Sequence, residues 1–142
     1  MRFWDSSAIV PTLVDEPGSD RMRELADDGT ALAVWWATRV ECVSAIARRV
    51  RLSPTDARHA EEALDTLREA VAGWVEIPPT ERLRDDAGRL VRVHDLRSAD
   101  AFQLAAARAA SDDLPETLPF VTLDDRLALA ASREGFPVLG LG

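Results

Sequence analysis

The chain has 142 residues, 46% of them apolar and 30% charged, which suits one ordinary soluble domain spanning 1–142 with a core of its own. Its net charge of −8 argues against non-specific binding to nucleic acid through a basic surface, and no apolar run is long enough to cross a bilayer. All 17 basic residues are arginine, which excludes lysine chemistry such as a Walker-type phosphate loop or a Schiff base; the one cysteine, Cys42, excludes an internal disulfide and a cysteine-based zinc cage.

Arg2–Trp4 reads as a buried strand that runs into an acid, Asp5, then two hydroxyls, Ser6 and Ser7, then Ala8, Ile9 and Val10. Asp5 suits a helix N-cap, yet a carboxylate at the end of a buried strand is costly unless something pairs with it. Ala31–Trp35 reads as a second strand, and Trp4, Trp35 and Trp36 are expected in the core. Thr38-Arg-Val-Glu41 has the form of a capping box. The amphipathic helix that it opens carries Val40, Val43, Ile46, Ala47 and Val50, with Cys42 as a small buried hydrophobe. Arg48 lies seven residues after Glu41, hence on the same helix face about 10 Å along the axis. With Arg49 and Arg51 it suits either a helix C-terminus or contact with a phosphate. Ser53-Pro54 suits an N-cap and first position of the next helix, whose stripe is Ala57, Ala60, Leu64, Leu67, Val71 and Trp74. These two helices are expected to form a hairpin, with His59 on the surface.

Val75–Pro78 reads as a third strand. His94, beside Asp95, is expected to be solvated or capping. Ser98 suits the N-cap of an alanine-rich helix with Asp100 in its first turn and Ala99, Phe102, Ala105, Ala106 and Ala109 as apolar positions. Ser111–Pro119 reads as a surface loop. Phe120–Leu123 is a fourth strand that ends in Thr122-x-Asp124, where capping accounts for one of Asp124 and Asp125 but not both. Pro137–Leu139 is a fifth strand, and Gly140-Leu-Gly142 a frayed end or an edge.

Strands alternating with helical segments favour an α/β domain with a mostly parallel sheet. Asp5, Glu41, Asp100 and Asp124 each stand at a strand end or a helix start, positions that share one edge of an open parallel sheet, where ligands bind. Converging carboxylates raise one another's pKa, a conflict that a divalent cation removes. Oxygen ligands without histidine or thiol suit Mg²⁺ or Mn²⁺, and an acid-only site favours attack on a phosphate ester. A phosphoacceptor receiver would need a lysine, and a phosphatase of the Asp-x-Asp type would need an acid where Ser7 stands.

Asp5-Ser-Ser-Ala-Ile-Val, Glu41, Leu96-Arg-x-x-Asp100-Ala and Thr122-x-Asp124-x-x-Leu127, in this order and spacing, resemble the PIN-domain family of metal-dependent ribonucleases, and within it the VapC-type toxins of toxin–antitoxin pairs. The resemblance covers nearly the whole chain. It implies a three-layer α/β/α fold around a central, mostly parallel five-stranded sheet, and Mg²⁺- or Mn²⁺-dependent endonucleolytic cleavage of RNA. Asp5, Glu41, Asp100 and Asp124 match the family's metal-binding acids, and Ser6 and Thr122 its supporting hydroxyls. Glu41 would ligate the ion or orient the attacking water. Arg48, Arg97 and Arg126 are candidates for contact with RNA. A small antitoxin, a homodimer and a cytoplasmic location are the expected associations, and a non-catalytic PIN-like module that binds RNA or protein is the alternative. Two departures stand out. Many members carry histidine where this chain has Gln103, to which the resemblance assigns no role. Asp125 adjoins Asp124, and Thr-x-Asp alignment prefers Asp124 without excluding Asp125.

Overall fold

The computed structural model describes residues 1–141. Five strands, β1 (Arg2–Trp4), β2 (Leu32–Trp35), β3 (Trp74–Ile77), β4 (Phe120–Val121) and β5 (Val138–Leu139), form one all-parallel sheet in the order β3-β2-β1-β4-β5. Seven helices connect them: α1 (Ser6–Leu13), α2 (Ser19–Ala26), α3 (Thr38–Leu52), α4 (Ala57–Val71), α5 (Glu81–Val93), α6 (Ser98–Ala110) and α7 (Asp125–Arg133). All five sequence-predicted strands are present with ends shifted by a residue or two. Gly142 lies outside the described residues.

Successive strand residues point to opposite faces, and this parity sorts the core into two halves. Phe3, Ala33, Trp35 and Phe120 face α5, α6 and α7, while Trp4, Val34 and Val121 face α1 to α4. The result is the three-layer α/β/α arrangement expected. Two apolar faces explain why the strands read as continuous hydrophobic runs rather than alternating ones.

The chain steps from β1 outward through β2 to β3, then returns to build β4 and β5 on the other side of β1. The topological switch point is therefore between β1 and β4, whose register pairs Phe3 with Phe120 and Trp4 with Val121. Ligand crevices of open α/β sheets form beyond the carboxyl ends of strands at such a point. Asp5 follows β1 directly and Asp124 opens α7 three residues after β4, so both flank it.

The layer that presents α6 is tied by charge. Arg108 on α6 bonds Asp86 on α5 (2.7 Å) and Glu134 beyond α7 (3.2 Å), and Arg89 on α5 also reaches Glu134 (3.0 Å). The His94 ring, only 6% exposed, lies 2.7 Å from Glu134. Expected as solvated or capping, it is the C-cap residue of α5 and is buried in this cluster.

Helix faces were the weakest of the sequence expectations. On α3 the buried positions are Thr38, Cys42 and Ile46, whereas Val40 and Val43 are exposed. Cys42 and Ile46, both expected inside, lie one turn apart in the core cluster that includes Ala8, Ile9 and Leu13 of α1. Trp74 belongs to β3 and pairs with Leu32 rather than extending the stripe of α4, whose buried residues are Ala63 and Leu67. Ser53 makes no capping bond to the backbone, and a short 3₁₀ turn at Pro54–Asp56 separates α3 from α4. Trp36 is 57% exposed, in contrast to Trp4 and Trp35. On α6, Ala99 and Ala109 face outward, while residues 103–107 are all buried. The Ser111–Pro119 segment, expected as a surface loop, holds a 3₁₀ turn at Pro115–Thr117 and buries Ser111 and Leu118, with positive φ at Asp112 and Asp113.

β5 ends at Gly140, whose φ is +109°, and a Cβ there would stand 2.4 Å from the Thr122 carbonyl oxygen. No side chain fits that backbone-to-backbone approach. Gly140→Ala is expected to cost about 1–3 kcal/mol and to lower the melting midpoint by several degrees. An unchanged midpoint in a thermal melt would show that the approach is not tight.

Candidate functional site

A cleft of about 1190 Å³ opens at the switch point, and Asp5, Glu41, Asp100 and Asp124 all line it, together with Arg48, Arg97 and Arg126. Sequence-predicted acids from four separate stretches are thus gathered at one sheet edge. Asp125 and the supporting Ser6 and Ser7 border the same cleft.

Asp5 is 3% exposed. It is the N-cap of α1, so the capping role and the cleft-facing role coincide in one residue. Its Oδ2 accepts from the Ser7 backbone N–H (3.2 Å) and its Oδ1 from the Ser7 hydroxyl (2.9 Å). Burial pushes the carboxyl up to about 7; hydrogen bonds from Thr122 and Ser7 oppose that rise, and the nearby charge of Asp100 adds to it. The Ser7 hydroxyl also accepts from the Leu123 N–H (2.9 Å) and lies 3.3 Å from the Thr122 hydroxyl. Ser7 therefore joins the end of β1 to the turn after β4. Thr122, fully buried, accepts from the Asp124 N–H (3.0 Å), and Asp124 caps α7 through Leu127 N–H (2.8 Å). Asp124 rather than Asp125 is the capping acid, and Asp125 is exposed.

The hydroxyls divide differently from the sequence expectation. Ser6 does not support Asp5; its Oγ lies 3.4 Å from Glu41 Oε2. Ser7 is the residue that holds Asp5, a role hidden in the sequence because two adjacent serines follow the acid. Only the helical turn decides which one folds back.

Thr38 and Glu41 do not form a capping box. The N-cap of α3 is Ala37, without a side-chain bond. Thr38 is buried and accepts from Gln103 Nε2 (3.1 Å), and Glu41 Oε1 accepts from the same amide nitrogen (2.7 Å). Gln103 is 1% exposed, and its Oε1 has no partner among the described residues. A buried acceptor left unmade costs on the order of 1–3 kcal/mol. Burial raises the pKa of Glu41, against the Gln103 bond, and Asp100 raises it further. Ser98 is not the N-cap of α6 either; Arg97 holds that position and Asp100 lies in the first turn. Burial and the charge of Asp124 raise the Asp100 pKa, and Arg97 and Arg126 act in the opposite sense.

The donor set is carboxylate oxygen throughout, which suits a hard divalent cation that keeps part of its water shell. Among the described residues, no group of three or more Asp, Glu, His or Cys side chains stands ready as a cage. Cys42 takes no part: burial pushes its thiol up to about 12. Arg49, next to Arg48, is committed to an ion pair with Glu16, whereas Arg48 is exposed on the cleft wall. Arg126 makes only a loose, exposed pair with Asp95 at 3.7 Å.

Residues 2–132 match the family model of the PIN domain. Ribonuclease VapC46 of Mycobacterium tuberculosis is 32% identical over 137 residues, which span 96% of this chain and 95% of that protein. Among solved structures, FitAcB from Neisseria gonorrhoeae superposes with a TM-score of 0.67 at 14% identity, over 99% of this chain and 97% of that one. PAE2754 from Pyrobaculum aerophilum gives 0.64 at 21% identity, over 91% and 83%. At these identities the two structures bear on the fold alone.

The state of Asp5 has a measurable consequence. Unfolded, the carboxyl ionises near 3.8; folded and metal-free, near 7. Between those values the native state holds a proton that the unfolded state has lost, so stability falls as pH rises from about 4 to about 7 and stays low above. The difference corresponds to roughly 4 kcal/mol at full ionisation. In chelator, Asp5→Asn is expected to melt above the wild-type protein at pH 8, with the gap closing towards pH 4. A variant that melts lower at pH 8 would contradict a costly buried charge.

Proposed function

The chain belongs to the PIN-domain family, and from that premise we propose that it is a Mg²⁺- or Mn²⁺-dependent endoribonuclease, the toxin of a toxin–antitoxin pair, hydrolysing RNA phosphodiester bonds. The observation that carries the reading is the gathering of Asp5, Glu41, Asp100 and Asp124 in one cleft at the switch point of a parallel sheet. The similarity to Ribonuclease VapC46 over nearly the full length of both chains supports RNA as substrate.

Asp5, Asp100 and Asp124 would hold the ion, directly or through water, with Glu41 as a further ligand or as the group that orients the attacking water. When bound, the ion supplies charge neutralisation at the phosphate and an acidified water. The residues of the chain do the rest. Ser7 and Thr122 fix Asp5 and Asp124 relative to each other across β1 and β4, while Ser6 and Gln103 contact the two oxygens of Glu41. Arg48, Arg97 and Arg126, spread around an otherwise acidic cleft, draw the RNA backbone in and offset phosphate charge. The local arginines answer the objection raised by the net charge of −8.

A partner protein is part of the proposal. Trp36, Val40 and Val43 leave the start of α3 with exposed apolar surface, and Val40 also borders the cleft. Surface of this kind suits a covering protein, whether a small antitoxin or a second copy in a homodimer. No helix among the described residues is long and apolar enough to cross a membrane, and the cytoplasm is the proposed location. The alternative is a non-catalytic PIN-like module that binds RNA or protein, for which the exposed Trp36, Val40 and Val43 would serve as contact surface.

One assay separates the two. Purified protein is expected to cleave RNA with Mg²⁺ or Mn²⁺, to stop on addition of a chelator and to recover when the ion is restored in excess. Asp5→Asn is expected to lose at least about 100-fold in rate. Cleavage by the variant at the wild-type rate, or cleavage that a chelator leaves untouched, would sink the nuclease proposal.

A further inference from the structure

Gln103 is a buried polar side chain on α6, between Phe102 and Leu104, on a helix whose other buried residues are Ala101 and Leu104 to Ala107. The contact with Glu41 assigns the orientation of its amide. Nε2 faces Glu41 Oε1 at 2.7 Å and the Thr38 hydroxyl at 3.1 Å. Turning the amide over would set its oxygen against a carboxylate oxygen, two acceptors with no proton between them. In the orientation that serves Glu41, Oε1 is buried without a partner. An apolar residue would suit this position of α6 better for stability alone. The amide leaves its own oxygen unsatisfied while both of its contacts go to α3, one of them to an acid of the cleft.

The geometry of α6 adds a reason. Asp100 and Gln103 are three residues apart, so they lie on one face of the helix, one turn after the other. The same helix therefore brings a carboxylate that repels Glu41 and an amide that binds it. Ser6 touches the other oxygen of Glu41 only at 3.4 Å, which leaves Gln103 as the short contact.

We propose that Gln103 is a positioning residue: its side-chain amide clamps Glu41 towards the cleft against the repulsion of Asp100, so that the acid is already aimed when a divalent ion and substrate arrive. The role rests on the metal-dependent reading given above. A neutral donor suits it, because the clamp adds no charge to the cluster and holds no proton that a change of pH would remove.

The test is a double-mutant cycle read by Mn²⁺ binding in a calorimeter, with RNA cleavage as the second readout. Gln103→Leu is expected to melt within a few degrees of the wild-type protein while binding Mn²⁺ about 10- to 100-fold more weakly, the usual range for loss of a group that orients a metal ligand. A Thr38→Val/Gln103→Leu variant removes the hydroxyl that the single change would strand, and it should melt no lower than the single variant and bind Mn²⁺ as weakly. In a Glu41→Ala background the same Gln103→Leu change is expected to alter Mn²⁺ affinity by less than about two-fold, because the acid on which it acts is gone. Equal losses in both backgrounds, or no loss in Gln103→Leu, would overturn the positioning role and leave the nuclease reading standing. Absence of any Mn²⁺ uptake by the wild-type protein would overturn both.

Discussion

Asp100 acts electrostatically on Asp5 and on Glu41, and Asp124 acts on Asp100, each in the direction that disfavours ionisation. This mutual repulsion at one sheet edge is what the surrounding structure has to withstand. A fold optimised for stability alone would not gather four acids in a partly buried cleft, since burial and like charge both raise the pKa of Asp5, Glu41 and Asp100. Three of the four acids are held by neutral donors: Ser7 and Thr122 for Asp5, the Leu127 N–H for Asp124, Gln103 and Ser6 for Glu41. Arg97 and Arg126 moderate Asp100 from the rim.

The restraints have their origin in strand parity and topology. Two-sided burial of β1 and β4 fixes which residues reach the carboxyl end of the sheet, and the reversal of strand order between them opens the crevice there. Ser7 then bridges the two strand ends, and the close approach of Gly140 to Thr122 holds β5 against the same turn. On the opposite side, the Arg89, Arg108, His94 and Glu134 cluster locks α5, α6 and α7 together, so that the start of α6 presents Asp100 from a rigid layer. The close ion-pair network thus sits in the helical layer, while the arginines of the cleft act on the acids from its rim.

Much of this was legible in the sequence, and the exceptions share a cause. Short apolar runs located all five strands, because two-sided burial leaves an unmistakable pattern in Phe3-Trp4 and Phe120-Val121. The four acids were legible as well, since each follows a strand or opens a helix. Helix faces were not. Val40 and Val43 look like core and are exposed, while Thr38 on α3 and Gln103 on α6 look polar and are buried, because the two bond each other across the helices. Capping boxes failed for the same reason: Thr38 and Glu41 have the right spacing, but both side chains are taken by Gln103 from another helix. Tertiary partners more than 60 positions away outrank local motifs, and a sequence read locally does not reveal them. The choice between Ser6 and Ser7 was equally hidden, since it depends on the direction of the first helical turn.

The central claim is that the four acids form a divalent-cation site at the switch point, and the most direct measurement is a crystal structure of the wild-type protein grown with Mn²⁺, with the ion located by its anomalous scattering. A peak in the cleft, ligated by oxygens of Asp5, Asp100 or Asp124 directly or through water, with Glu41 within one water of it, is the predicted result. A cleft with no anomalous peak at saturating Mn²⁺, or a peak bound only outside it, would contradict the account.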